Sequence, residues 1–233
     1  MVFLEWSGSV SGAIATILTA VGLMPVRRPA SPLTACIIIP TKSRPELLRH
    51  TLSSIRAQDY PAASIEVVVV DDSPIGLRLS RGEVEEALEG ISTSRYIELE
   101  EQHSVGGKRN IAMSHCRNDV VVHWDDDDFY GPARLRHQLA PLAAGAAELS
   151  VLKHQLAYFV QEDVLMMAGV ATNDADASPV PTAPEDEPSW GPHFGTLAWV
   201  RAPSSPNYTD TSQGEDYGLA QRLVEAGGRL VQL

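Results

Sequence analysis

At 233 residues, with 44% hydrophobic and 21% charged side chains, the chain is long enough for one substantial core and has an ordinary globular make-up. Its 18 basic and 30 acidic residues give a formal net charge of −12, which argues against a phosphate-backbone footprint and hence against nucleic acid as a partner. Two cysteines, Cys36 and Cys116, are too few for a disulfide framework, and both fall where apolar elements are expected, so they read as buried free thiols. The acidic excess is partly local: between His154 and Val200 there is no Lys or Arg.

Ser7 to Met24 carries no charge, but Ser, Gly, Thr and Ala dilute its apolar residues and no basic n-region precedes it. Residues 1–33 therefore read as a leader that leaves membrane association open; if it spanned, Arg27 and Arg28 would favour a cytosolic catalytic part, and a cytoplasmic or cytoplasmic-face location is expected. From Thr34 the pattern becomes regular. "TACIIIP" (34–40) is a buried strand, and "SRPELLRHTLSSIRAQ" a helix with Ser43 and Glu46 as a capping box. "IEVVVVDD" (65–72) is a second strand, followed by a short helix in "GEVEEALEG". "RYIEL" (95–99) is a third strand, "GGKRNIAMSHC" a glycine-opened helix, "DVVVHW" (119–124) a fourth strand, and another helix starts near Pro132. Such alternation predicts βαβ units and a mostly parallel sheet with helices on both faces.

The second half differs. "SVLKHQLAYFV" and "DVLMMAGV" read as longer strands in a hairpin, a smaller antiparallel lobe, and 171–188 as a loop rich in Pro, Asp, Ala and Glu. "GTLAWVRA" (195–202) returns to strand, "GEDYGLAQRLVEAGG" is a helix closed by glycine, and "RLVQL" begins a last strand.

In parallel α/β sheets ligands bind beyond the carboxyl ends of the strands. Three such ends carry Pro40-Thr41, Asp71-Asp72 and Asp125 to Asp128. Four successive carboxylates repel one another unless a solvated turn separates them or a divalent cation binds them. If that segment is extended, Asp125 and Asp127 point one way, Asp126 and Asp128 the other. A carboxylate pair suits a hard cation, Mn²⁺ or Mg²⁺, whose shell is completed by water and the phosphates of a nucleotide diphosphate. Rival motifs fail: an EF loop from Asp125 would need Gly and Glu where Tyr130 and Arg136 stand, and there is no P-loop, dinucleotide fingerprint or zinc-type His pair.

"CIIIPTKSRPELLRHTLSSIRAQDYPAASIEVVVVDDSP", "GGKRN", "HWDDDDFYGPARL" and "GTLAWVRA…GEDYGLAQRL" together resemble the inverting glycosyltransferase family 2, over roughly residues 34–233. The resemblance implies an α/β fold of GT-A type, with 34–130 as nucleotide-binding half and 131–233 as acceptor-side half. It also implies transfer from a nucleotide-sugar donor, a UDP-sugar by expectation, to a carbohydrate, lipid or protein acceptor. It assigns Pro40, Thr41 and Asp72 to the nucleotide, and the D-x-D element to Asp125 and Asp127, with Asp127 on the metal and Asp126 nearer the ribose. Lys108, Arg109 and Asn110 match the basic segment near the donor, Asp216 the general base with Glu215 beside it, and Gly195 and Thr196 the acceptor border. The family's later Q-x-x-R-W motif does not appear before Leu233, so a C-terminally truncated chain is expected.

Plainer readings stand beside these. Ser212-x-x-Glu215 also matches a capping box, Asp72 could cap a turn, and Lys108 and Arg109 could be a solvated helix start. His193 and Trp199 read as packing, and His103 and His123 have no role. A catalytically inactive nucleotide- or sugar-binding module of the same fold is the alternative function. A nucleotidyltransferase is a weaker one, because "PTKSRPE" lacks the glycine-rich, lysine-bearing loop.

Overall fold

The computed structural model describes residues 32–159, 163–169 and 192–233. Residues 1–31 of the expected leader and the loop before Trp190 lie outside them. The described elements are β1 (Ala35–Thr41), α1 (Pro45–Arg56), β2 (Ile65–Asp71), α2 (Arg81–Ala87), β3 (Thr93–Glu98), α3 (Val105–His115), β4 (Val120–His123), α4 (Arg134–Ala143), β5 (Leu149–Leu152), β6 (His154–Phe159), β7 (Val164–Gly169), β8 (His193–Val200), α5 (Glu215–Glu225) and β9 (Leu230–Gln232).

Seven strands form one sheet in the order β3-β2-β1-β4-β8-β5-β9, and β6 pairs with β7 in a separate antiparallel hairpin. Strands β3, β2, β1 and β4 are parallel, β8 runs antiparallel to β4 and β5, and β9 is parallel to β5. The mixed α/β architecture with its mostly parallel run is the one expected.

The pleat of β1 divides the core. Ala35, Ile37 and Ile39 pack with Leu48, Leu52 and Ile55 of α1, Val84 of α2 and Leu135 and Leu139 of α4. Cys36 and Ile38 face the other way, onto Ala112 of α3 and Leu219, Ala220 and Leu223 of α5. Each fully buried aliphatic contributes about 1.5–3 kcal/mol over its exposed state, so a strand apolar on both faces is fixed in the sheet's centre.

Two expected caps are not formed. Ser43 has a left-handed φ of 55°, outside the extended geometry of an N-cap; Arg44 occupies that position and Pro45 starts the helix. Ser212 does not cap α5, which begins from Gly214 at φ 68°; its hydroxyl accepts instead from the Val105 N–H. A true capping box forms at α2, where Ser80 and Glu83 bond reciprocally.

The cysteines are not free. Cys36 and Cys116 form a disulfide that ties β1 to the C-terminal end of α3, 80 residues on. Their separate positions along the chain concealed that the second core face brings them together. Disulfides persist in oxidising compartments and are rare in the cytosol, so this pair does not support the expected cytoplasmic placement. Replacing both by serine should lower unfolding free energy by about 2–4 kcal/mol, measured by denaturant titration of the oxidised protein. Reductant should cost the parent a similar amount and leave the variant unchanged.

Candidate active site

The carboxyl ends of β1, β2 and β4 lie side by side, because Thr41 pairs with Asp71 and Ile38 with His123 across the sheet. The four aspartates do not continue β4 as an extended segment. Asp126 and Asp127 occupy a turn, which regroups the side chains. Arg44 Nη1 lies 3.0 Å from Asp126 and 2.5 Å from Asp127, so these neighbours share one cation instead of facing apart. Asp125 is 2.7 Å from Arg109, while Asp128 accepts from the Tyr130 hydroxyl at 2.6 Å and lies 3.9 Å from His193 Nε2. The turn gives Asp125 and Asp128 donors of their own and lets Asp126 and Asp127 share one, an arrangement that an extended segment with alternating side chains would not offer.

Asp126 joins the strand ends. It is buried, and Thr41 Oγ1 donates to it at 2.5 Å while Thr51 of α1 donates to its carbonyl at 3.1 Å. Asp72 is also buried. Lys108 Nζ lies 2.9 Å from its carboxylate and 2.9 Å from the Thr41 carbonyl, and the His103 N–H donates to it at 2.8 Å. Burial opposes the Asp72 charge, yet the His103 N–H and Lys108 together hold its pKa below the usual carboxylate value. The turn-forming role falls to Asp71, which accepts from the Ser73 N–H at 2.7 Å and the Tyr96 hydroxyl at 2.6 Å. Pro40 is buried in β1.

Lys108 and Arg109 are not a solvated helix start; both are buried. Arg109 is 2% exposed and bridges Asp125 and Glu215, each at 2.7 Å. Burial works against its charge, but Asp125 and Glu215 hold the guanidinium firmly protonated. Desolvation pushes Glu215 above the ordinary glutamate value despite Arg109. Gly106 brings this helix close: a Cβ there would sit 1.9 Å from the Thr209 carbonyl oxygen, while its N–H donates to Thr211 at 2.9 Å. The segment leading into α5 is thereby docked on the helix that carries Arg109.

Asp216 opens α5 beside Glu215 and is partly exposed. Its carboxylate accepts from the Tyr217 N–H at 2.7 Å and, among the described residues, forms no ion pair. Glu215 is buried and paired with Arg109, whereas Asp216 is the more exposed of the two acids. Gly195 backs onto the acids, for a Cβ there would meet Asp125 Oδ2 at 2.7 Å and His193 Nε2 at 3.0 Å.

Two assigned residues turn away. Asn110 closes a two-bond clamp on the Tyr208 backbone, donating at 3.0 Å and accepting at 2.8 Å. Thr196 is buried, donating to the His193 carbonyl and accepting from the Leu152 N–H. His123, fully buried between the Phe194 carbonyl and the Tyr208 hydroxyl, is held neutral by desolvation. Sequence reasoning missed Arg44 and gave His193 only a packing role.

Among the described residues no three or more His, Cys, Asp or Glu gather to hold a metal ion, so a divalent cation here would rest on a carboxylate pair with water and donor phosphate completing its shell. The carboxylates supply hard oxygen ligands only, Asp127 is 48% exposed, and a guanidinium nitrogen already bridges Asp126 and Asp127 as a stand-in cation.

Residues 36–161, more than half the chain, match the family described as Glycosyl transferase family 2. The chain belongs to glycosyl transferase family 2. It is 26% identical over 118 residues, 50% of its length and 20% of the relative's, to the poly(ribitol-phosphate) beta-N-acetylglucosaminyltransferase TarS of Staphylococcus aureus. It is 29% identical over 111 residues, 48% of its length and 31% of the relative's, to the succinoglycan biosynthesis protein ExoU of Rhizobium meliloti. The chain thus spans no more than 31% of the curated relatives it matches. In fold it is similar to the mannosyltransferase PcManGT from Pyrobaculum calidifontis, solved with GDP-Man and Mn²⁺, with a TM-score of 0.65 at 19% identity over 96% of this chain and 66% of that one. Residues 1–349 of TarS, solved with UDP, give a TM-score of 0.61 at 19% identity over 86% of this chain and 58% of that one. These likenesses establish a GT-A glycosyltransferase fold for this family 2 domain. Among the described residues no helix is long and apolar enough to cross a membrane.

Proposed function

We propose that this domain moves a sugar from a nucleotide-diphosphate donor, a UDP-sugar in the first instance, to an acceptor hydroxyl with inversion at the anomeric carbon. The observation that carries the reading is the division of labour among the carboxylates. Asp72 at the end of β2 pairs with Lys108, and after β4 Asp125 pairs with Arg109 while Asp126 and Asp127 share Arg44; Asp216 at the start of α5 has no ion pair among the described residues. Thr41, Asp72 and Lys108 form the nucleotide end of the crevice. When bound through Asp127, with Asp126 and Asp125 beside it, Mn²⁺ or Mg²⁺ would supply positive charge to the donor diphosphate.

Asp216 acts as general base. It takes the proton of the acceptor hydroxyl while that oxygen bonds to the anomeric carbon. The bond from that carbon to the diphosphate oxygen breaks, and its electron pair leaves with the nucleotide. Arg109 ties Asp125 to Glu215, the neighbour of this base at the start of α5.

Incubation with Mn²⁺ and a panel of UDP- and GDP-sugars, followed by proton NMR, tests this. Release of nucleotide with first-formed sugar of inverted configuration is expected for one donor class. Nucleotide binding without turnover on any donor, even with simple glycoside acceptors, would favour the inactive binding module.

A further inference from the structure

Arg44 is the cation nearest the exposed end of the acid cluster, and no motif reading had assigned it. One of its nitrogens, Nη1, lies within hydrogen-bond reach of both Asp126 Oδ1 and Asp127 Oδ2, at 3.0 and 2.5 Å. That is a point-like contact bridging two carboxylates, in place of the two-nitrogen fork by which a guanidinium usually holds one. Its side chain is 48% exposed, as is that of Asp127, so solvent screens the contact. The turn does not depend on it: Thr41 fixes the Asp126 carboxylate and Thr51 the Asp126 carbonyl. Pro45 at the first helical position anchors the backbone from which the side chain swings.

Resting on the metal-and-nucleotide reading of this crevice, we propose that Arg44 is a displaceable internal cation. It holds Asp126 and Asp127 together when no divalent ion is present and competes with that ion for the same oxygens. One ion pair to a half-exposed Asp127 and one to a buried Asp126, both made by a single nitrogen of a half-exposed guanidinium, contribute too little to resist a doubly charged ion backed by a diphosphate. They are strong enough to weaken the binding of metal alone. The crevice would then load poorly with free metal and well with metal and nucleotide together, since the released guanidinium is set beside an incoming anion.

Titration of free Mn²⁺ by electron paramagnetic resonance, on the full chain without nucleotide, tests this. R44Q should bind Mn²⁺ about three- to tenfold more tightly than the parent, and R44K should stay close to it. Adding D127N to R44Q should abolish the gain. With UDP present the advantage of R44Q should shrink or reverse. Equal or weaker Mn²⁺ binding by R44Q, at an unchanged melting temperature, would overturn the role of Arg44 while leaving the functional reading intact. Failure of the parent and of every variant to take up Mn²⁺ even with UDP would sink both.

Discussion

Asp216→Asn is expected to lower sugar transfer by about 10²–10⁴-fold while nucleotide binding stays nearly unchanged. The substitution removes the charge and keeps the shape. The amide oxygen of the replacement side chain can still accept the Tyr217 N–H bond that Asp216 accepts, and no ion pair is lost among the described residues. Glu215 cannot take over, because its carboxylate is buried and engaged by Arg109 at 2.7 Å. Initial rates with the preferred donor and calorimetric nucleotide affinity separate the two effects. Parent-like turnover would move the base elsewhere.

Arg109→Met should destabilise the fold by about 3–5 kcal/mol, because it strands two acids against one removed cation. Glu215 is the more damaging of the two, being almost fully buried. The deficit has a defined pH dependence. Desolvation already raises the Glu215 pKa above 4.5, and losing Arg109 raises it further. A carboxyl that ionises later in the folded than in the unfolded state binds more protons when folded between the two pKa values, so stability falls as pH rises through that window. The variant should therefore approach the parent as pH drops toward and below 4.5 and diverge from it toward neutrality. E215Q in the same chain should recover part of the loss. Urea titrations across this range provide the check.

Much of the frame could be read from residue pattern. The Ile and Val runs of β1, β2 and β4 are apolar on both faces, which marks central parallel strands, and the meeting of the Pro40-Thr41 end with the two acid-bearing ends follows from that placement. The disulfide could not be read, since nothing local to Cys36 or Cys116 signals that strand and helix end converge. The caps went astray for a tertiary reason as well: Ser43 and Ser212 have the right residue type and spacing, but Ser43 bonds through its N–H to Ser73 and Ser212 through its hydroxyl to Val105. The deepest gap concerned how the acids coexist. The residue pattern admits a solvated turn or a bound cation, whereas the protein itself supplies Arg44 from the start of α1 and both Lys108 and Arg109 from α3. Arg44 was legible in principle as a basic residue just after the acid-facing end of β1. The alternation rule, which assumes an extended chain, obscured it.

The most direct measurement is calorimetry of UDP with and without Mn²⁺, on the parent and on Asp127→Ala. Tight association should require the metal and drop by at least about an order of magnitude in the variant. UDP uptake indifferent to Mn²⁺, or an alanine variant indistinguishable from its parent, would contradict the assignment of these aspartates to a shared pyrophosphate site.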